Sequence, residues 1–279
     1  MNTSKVWYVT GASQGLGLML VKQLLESGYR VAATSRHAQK LQDAVGVIDG
    51  DRFLPLAVDL NNTDCVDESI GQTLGAFGRI DVVVNNAGYG MAGTVEETGA
   101  EEIRKIFDVN VLAVINVVKS VLPVLRKQGS GYIINMGSVA GFAGAPGWSV
   151  YAATKAAVAA FSEVLALDVK EFGIKVTVVE PAGFRTGFLE QNSLAYVESR
   201  IDGYQAVKET QQRYLATSGQ QAGDPVKASA ILIELAASDQ PPLHLYLGQD
   251  AYKRASGKLA AMTTELEAWK ATTISADYQ

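Results

Sequence analysis

The chain has 279 residues, 48% of them apolar and 19% charged, with a formal net charge of −5. That balance suits a folded protein with a sizeable core, and the lack of a basic block removes the electrostatic case for nucleic acid. One cysteine, Cys65, excludes an internal disulfide framework and suits a reducing compartment, while two distant histidines, His37 and His244, give no zinc pattern and no metal is expected.

The N-terminal run MNTSKVWYVTGAS leads straight into a glycine turn, unlike a signal peptide. No stretch approaches the ~20 consecutive apolar residues of a membrane span, so a soluble, cytoplasmic protein without membrane contact is expected. Short β-rich runs then alternate with longer helical ones. Strands are expected at Lys5–Thr10, Tyr29–Thr34, Arg52–Ala57, Ile80–Asn85, Gly131–Met136, Lys175–Glu180 and His244–Leu247. Helical patterns cover Leu16–Ser27, Thr63–Phe77, Glu101–Arg126 (one helix or two), Ser149–Phe172 and Pro225–Ser238. Repeated strand–helix–strand units imply an α/β fold with a parallel sheet covered on both faces. The near-continuous apolar strands VVVNN, YIINM and KVTVVE fit that burial.

No composition break divides the chain, so residues 1–279 are read as one domain. Two segments stand apart. Residues 187–223 are long for a connection and carry Phe188, Leu189, Leu194, Tyr196, Ile201, Tyr204 and Tyr214. They are either a surface insertion with a small core of its own or a lid over a pocket at the carboxyl ends of the strands. Residues 249–279 form a C-terminal extension.

The first strand ends in Thr10-Gly11-Ala12-Ser13-Gln14-Gly15-Leu16-Gly17 and opens a helix. Gly11 permits a tight turn, Gly15 lets backbone approach a pyrophosphate, and Gly17 allows helix to pack on strand. The helix start offers unpaired N–H groups and a positive dipole end to an anion. Its strand-to-helix context favours dinucleotide binding, with Ser13, Gln14 and Leu16 counted among the contacts. A P-loop would need Gly-Lys-Ser/Thr, which is absent. At the end of the second strand an acid would bind a ribose 2′-hydroxyl. Here Ser35 and Arg36 stand instead. A guanidinium can hold a 2′-phosphate through paired hydrogen bonds worth ~1.5–3 kcal/mol each. NADP(H) is therefore expected over NAD(H), the alternative being that Arg36 is a surface residue opening a helix.

Tyr151 and Lys155 lie four apart in an alanine-rich helical run, so both leave one helix face. Free tyrosine ionises near pH ~10, and activating it at neutral pH takes about 4 kcal/mol. A fixed positive charge nearby can supply much of that. On its own such a pair is more often a solvated helix face.

With TGASQGLG at 10–17, Asp59-Leu60, Asn85-Asn86-Ala87-Gly88, Asn110, Ser138 and Tyr151-x-x-x-Lys155 in this order, the chain resembles the short-chain dehydrogenase/reductase family over roughly residues 5–250. The likeness is to the subgroup near hydroxysteroid and retinol dehydrogenases. The resemblance implies a Rossmann-like, doubly wound, seven-stranded parallel sheet in the order 3-2-1-4-5-6-7. It also implies reversible hydride transfer between a nicotinamide and a carbonyl or alcohol. Tyr151 would be the general acid or base. Lys155 would lower its pKa and hold the nicotinamide ribose. Ser138 would hold the substrate oxygen, and Asn110 would carry a water relay to Lys155. Asp59, with Leu60, would meet the adenine; Asn86, Ala87 and Gly88 would line the cofactor cleft. Pro181, Ala182, Gly183 and Thr186 would sit at the carboxamide, although alanine at 182 stands where the family usually has glycine. Two hydroxyl donors beside an ammonium are suited to stabilise charge building on a carbonyl oxygen.

The expected activity is an NADP(H)-dependent carbonyl reductase or alcohol dehydrogenase acting on a rather apolar small molecule. Expected pocket walls are Ala140, Phe142, Ala145, Trp148, Phe184, Phe188 and Leu189; Trp148 suits plain packing equally well. A non-catalytic NADP(H)-binding sensor or scaffold is the alternative. A serine hydrolase built on Ser138 lacks a Gly-x-Ser-x-Gly elbow, because Met136 takes the first glycine's place. Family resemblance also suggests a homodimer or homotetramer packed through Leu112–Arg126 and Ser149–Phe172.

Overall fold

Runs of β-branched and apolar residues become the strands, and the glycine- and asparagine-bearing turns after them become the rim of a cavity. The computed structural model describes residues 4–48, 50–190, 193–198 and 200–278. Within the ranges named above, residues 1–3, 49, 191, 192, 199 and 279 lie outside the described set.

In chain order the first half holds β1 (Val6–Val9), α1 (Gly15–Glu26), β2 (Arg30–Ser35), α2 (Ala38–Val45), β3 (Phe53–Ala57), α3 (Thr63–Phe77), β4 (Val82–Asn85), β5 (Gly90–Ala92) and α4 (Ala100–Phe107). A π-helical turn, Asp108–Leu112, joins α4 to α5 (Ala113–Gln128). Next come β6 (Gly131–Met136), α6 (Val139–Phe142), α7 (Ser149–Asp168), β7 (Ile174–Pro181), β8 (Leu194–Tyr196) and α8 (Gln205–Ala216). The chain closes with α9 (Pro225–Ala237), β9 (His244–Leu247), α10 (Gln249–Ala268) and α11 (Lys270–Ile274).

Seven strands form one parallel sheet in the order β3-β2-β1-β4-β6-β7-β9. Counted among themselves they run 3-2-1-4-5-6-7, the expected Rossmann-like order. Each expected strand lies within two residues of an observed one. Alternation along β1 shows the two-sided burial. Trp7 and Val9 join a core with Leu20 and Leu24 of α1 and Leu232 of α9. Val6 and Tyr8 join the opposite core with Ile70 of α3, Val117 of α5 and Leu165 of α7.

Two helical stretches, Ala100–Gln128 and Ser149–Asp168, are long and apolar enough by length and composition to meet a membrane-span criterion. Neither contains an uninterrupted apolar run of ~20 residues, because polar residues are interspersed, and the core helix of a folded protein meets the same criterion. Val114, Val117, Val118 and Val121 of α5 and Val158 and Leu165 of α7 are buried, and the Val117–Val121 and Leu165 faces pack on the sheet.

The strand order reverses between β1 and β4, the point where open α/β sheets bind ligands. Within the 187–223 segment, residues 187–190, 193–195, 214, 217 and 220–222 line the cavity at this end. β8 pairs in parallel with β5 in a second, two-stranded sheet. The segment returns where it left: Gly223 N–H donates to Gly183 O (3.1 Å), and Arg185 N–H donates to Gly223 O (2.8 Å). The carboxyl groups of Glu96 and Glu97 latch its middle. Glu97 accepts from Ile201 N (2.8 Å) and from Arg200 N, and Glu96 accepts from the Tyr204 hydroxyl (2.7 Å).

Candidate active site

A cavity of about 1190 Å³ opens at the carboxyl ends of β1, β2, β4, β6 and β7. Its first wall is the glycine turn. Gly11 has φ +64°, and a Cβ there would lie 2.6 Å from Ala87 Cα, so only glycine fits between the β1 and β4 loops. Gly17 is buried off the wall; its Cβ would lie 2.5 Å from Asn86 Nδ2. That space belongs to the Asn86 amide, which donates to Thr10 O and Gly11 O at 3.0 Å each. The Thr10 hydroxyl oxygen in turn accepts from Asn86 N (3.0 Å) and Ala87 N (3.1 Å). Thr10 therefore ties the two loops together.

Gly11, Ser13, Gln14, Gly15 and Leu16 line the cavity. Gln14 precedes α1 without capping it, and its amide donates instead to Ser193 Oγ (2.7 Å). No side chain therefore competes for the first N–H groups of α1 at its cap. Ser35, Arg36, Asp59, Leu60, Asn86, Ala87 and Gly88 continue this wall. The Ser35 hydroxyl is held in a local turn, donating to His37 O (2.8 Å). Arg36 is exposed and has no protein partner among the described residues. Asp59 accepts from Asn61 N (3.0 Å), and Leu60 O accepts from the Asn116 amide (3.1 Å).

Ser138, Tyr151 and Lys155 meet on the facing wall. Ser138 caps α6, its oxygen accepting from Ala140 N (3.1 Å). Lys155 Nζ donates to Met136 O (2.8 Å) at the end of β6 and lies 5.8 Å from the Tyr151 ring centre. Tyr151 is packed between Trp148 (5.5 Å between ring centres, edge-on) and Phe188 (6.0 Å). Asn110 lies behind the wall, fully buried in the π-turn. Its amide donates to Tyr89 O (2.9 Å) and Thr154 Oγ1 (3.1 Å), and its oxygen accepts from Tyr89 N (3.0 Å). A Cβ on Gly88 would stand 3.0 Å from Asn110 Oδ1 and 3.5 Å from Lys155 Nζ, which places these two groups side by side.

Burial dominates the electrostatics of this cluster. It pushes the Tyr151 phenol up to about 12; the Ser138 hydroxyl works against that, and Tyr214 adds to it. Burial likewise brings the Lys155 ammonium down to about 8. Burial thus sets the direction of the phenol's shift, while Lys155 Nζ stands beside the ring and is engaged by Met136 O.

Ala140, Trp148, Phe184, Phe188 and Leu189 line the cavity beyond the tyrosine. Phe142 and Ala145 do not, which corrects two expected wall positions. Phe142 turns away to pack on Tyr246 (5.6 Å between ring centres), and Ala145 lies under Trp148, its carbonyl accepting from Trp148 N (3.2 Å). Their places are taken by residues distant in sequence: Tyr214 (5.0 Å from Trp148), Leu194, Gln221, Asp250 and Arg254. Arg254 donates to Ala143 O and lies 3.6 Å from Asp250. Of these, Leu194 and Tyr214 stood out in the sequence as aromatic or apolar residues of the 187–223 segment; nothing local marked the others.

Pro181, Ala182, Gly183 and Thr186 also line the cavity. Among the described residues Tyr204 alone of the non-glycines has a positive φ, so alanine at 182 is unstrained. Its N–H is committed to Leu247 O (3.2 Å), and Thr186 Oγ1 accepts from Phe188 N (3.3 Å). Gln221 packs against Gly183, 3.5 Å from Cγ to the position of a Cβ there. Both of its amide atoms are buried without a hydrogen-bond partner.

The family model for short chain dehydrogenases matches residues 5–196. Oxidoreductase BOA17 of Botryotinia fuckeliana is 37% identical over 268 residues, covering 96% of this chain and 97% of that protein. A 3-ketodihydrosphingosine reductase of Bacteroides thetaiotaomicron is 33% identical over 240 residues, covering 86% of each. The crystal structure of a short-chain dehydrogenase from Streptomyces avermitilis superposes with a TM-score of 0.89 at 35% identity, covering 98% of this chain and 100% of that one. The sheet order, the glycine turn and these likenesses agree, and the chain is an oxidoreductase of the short-chain dehydrogenase/reductase family.

Proposed function

We propose that the protein reduces a ketone or aldehyde on a largely apolar molecule with NADPH, or oxidises the corresponding secondary alcohol, with Tyr151 passing the proton. The observation that carries this reading is a single cavity bounded at one end by the glycine turn and at the other by the buried Ser138–Tyr151–Lys155 cluster. The residues present fit a nicotinamide dinucleotide. Gly15 leaves the turn open, the nearest atom to a Cβ there being Thr186 Cβ at 3.9 Å, and the start of α1 is uncapped. Arg36 waits without a partner where a 2′-phosphate would lie. The unpaired Gln221 amide beside Gly183 matches a carboxamide's donor and acceptor. When bound, that cofactor supplies or removes the two electrons.

The protein's own part is positional and electrostatic. At pH 7 a phenol of pKa about 12 holds its proton and an ammonium of pKa about 8 is mostly charged. Tyr151 is thus set to donate a proton to a carbonyl oxygen, with Ser138 as second donor and Lys155 balancing the growing charge. Asn110, bonded on three sides, fixes Thr154 and Tyr89 around Lys155; its water relay remains part of this proposal. Trp148, Phe188, Leu189 and Tyr214 give the substrate an apolar bed, and residues 187–223 act as its lid. Likeness to a 3-ketodihydrosphingosine reductase supports a ketone on an apolar body.

NADPH consumption over a panel of apolar ketones tests the reading. Tyr151→Phe should lower turnover by roughly 10²–10⁴-fold with NADPH binding kept; undiminished turnover would overturn the proton-donor role. Arg36→Ala should weaken NADPH binding about tenfold or more and leave NADH binding as it was. A groove of about 310 Å³ between α5 and α7, lined by Ile115, Leu122, Phe161 and Phe172, supports assembly into a homodimer or homotetramer through these helices. A cytoplasmic location accords with the lone Cys65.

A further inference from the structure

One cation on the cavity wall has no part in the proposed reaction. Among the described residues the cavity is lined by Arg36, Lys105, Lys155 and Arg254. Lys155 is committed to Met136 O, Arg36 stands on the glycine-turn wall, and Lys105 is exposed and pairs with Glu101 (3.9 Å). Arg254 differs from all three. It comes from α10, beyond the last strand of the sheet, and its side chain is only 24% exposed. Ala251 and Ala255 are buried and seat the first turns of α10 on the body. Asp250 and Arg254, each one position earlier, share the neighbouring face of that helix and meet the cavity.

A guanidinium carries five N–H donors in a fixed fork. Among the described residues Arg254 makes one hydrogen bond, to the neutral acceptor Ala143 O. Asp250 stands 3.6 Å away, close enough for an ion pair but beyond a hydrogen bond. Its carboxylate is 63% exposed, so water solvates that charge, whereas the guanidinium is mostly withdrawn from water with most of its donors unused. A planar group with two acceptor oxygens suits such a fork. The fork also has a defined place. Ala143 follows α6, the four-residue helix that Ser138 opens. At ~1.5 Å per residue the ends of that helix are roughly 8 Å apart.

We propose that Arg254 binds a carboxylate carried by the substrate, one short helix away from the oxygen that Ser138 and Tyr151 would hold. The substrate is then an oxo acid, or the matching hydroxy acid, with an apolar body between its two polar ends. The place of the carbonyl rests on the function proposed above; the carboxylate contact does not depend on it.

Binding is measured apart from turnover. Octanoate, methyl octanoate and octylamine, none of which carries a ketone, are titrated calorimetrically into the NADPH-loaded protein. The parent should bind octanoate at least about tenfold more tightly than methyl octanoate. Arg254→Gln, which keeps a donor for Ala143 O, should bind the two alike with NADPH affinity unchanged, and Arg254→Lys should retain part of the preference. Equal affinities in the parent, or an octanoate preference that survives Arg254→Gln, would overturn the proposal. Tighter binding of octylamine than of octanoate would assign this wall to Asp250 and overturn it as well. In turnover, benzoylpropionate should have a lower KM than its methyl ester, and Arg254→Gln should raise KM for the acid alone by about tenfold at unchanged kcat. An equal loss on acid and ester would reduce Arg254 to a tie for Ala143. An Arg254-dependent octanoate preference with no oxo acid reduced and no hydroxy acid oxidised would uphold the carboxylate contact and overturn the redox reading of the cavity instead.

Discussion

The two ends of the cavity are held by different means. At the glycine turn, backbone meets backbone. Thr10, Asn86 and Ala87 are cross-tied by four hydrogen bonds of 3.0–3.1 Å, and the gap between the loops is too narrow for a methyl group. At the far wall, side chains from separate parts of the chain lean on one another: Trp148 on Tyr214 and on Tyr151, Tyr151 on Phe188. The first arrangement admits one geometry. The second can be repacked, because aromatic contacts tolerate changes of shape that a backbone clash does not. Under the proposed function, the rigid end would hold the cofactor and the repackable end the substrate.

Substituting one glycine in the turn and one in the 187–223 segment would test this contrast most sharply. Gly11→Ala adds a Cβ 2.6 Å from Ala87 Cα at φ +64°. It should cost several kcal/mol, of order 3 or more, and abolish NADPH binding. Gly203→Ala, in the 187–223 segment, has φ +103° but nothing within 4 Å. Only backbone strain of roughly 1–2 kcal/mol should follow, with NADPH affinity kept. Thermal melts and fluorescence titration measure both, and equal effects would break the comparison.

Lys155→Met probes the junction of the two ends. Folding brings this ammonium from 10.5 down to about 8, so the unfolded chain binds the extra proton between those values and stability rises with pH across them. Below about pH 8 the buried charge costs about 3 kcal/mol, offset by about 1 kcal/mol from its bond to Met136 O. The variant should therefore melt higher than the parent at pH 7, and the gain should vanish by about pH 10.5. Oxidoreductase activity should be lost throughout. A variant that melts lower at pH 7 would show that Lys155 stabilises the site.

The smallest effect is expected at the latch. Glu97, held below the usual carboxylate range by Thr94 and the Ile201 and Arg200 N–H groups, accepts from the middle of the 187–223 segment. Glu97→Ala should speed hydrogen exchange at Ile201 while leaving exchange in β1 and β4 unchanged.

What the sequence discloses follows the same division. Strand order and glycine turn were legible because each is written in contiguous residues, VVVN or TGASQGLG, whose period and turn chemistry are local. Ser138, Tyr151 and Lys155 were legible as a motif, but the burial that raises the phenol was not, because desolvation depends on Trp148, Phe188 and Tyr214 closing around it. Phe142 and Ala145 were misplaced because nearness to Tyr151 in the chain does not say which way a loop side chain turns. Gln221, Asp250 and Arg254 were missed because only the folded return of the chain brings them to the cavity. Three-residue strands such as β5 and β8 are too short to carry a period.

The stem at Gly183 and Gly223 has one more consequence. Because the excursion between them is closed by its own two hydrogen bonds, the sheet does not feel its length. Doubling such a loop costs only about 0.6 kcal/mol in closure entropy. The stem is therefore a natural splice point: stretches of other lengths and sequences can be exchanged inside it, over residues 195–220, while Thr186, Ser193 and Gln221 stay at the cavity. Such a graft would change one wall of the cavity and leave the glycine turn and the Ser138–Tyr151–Lys155 cluster as they are.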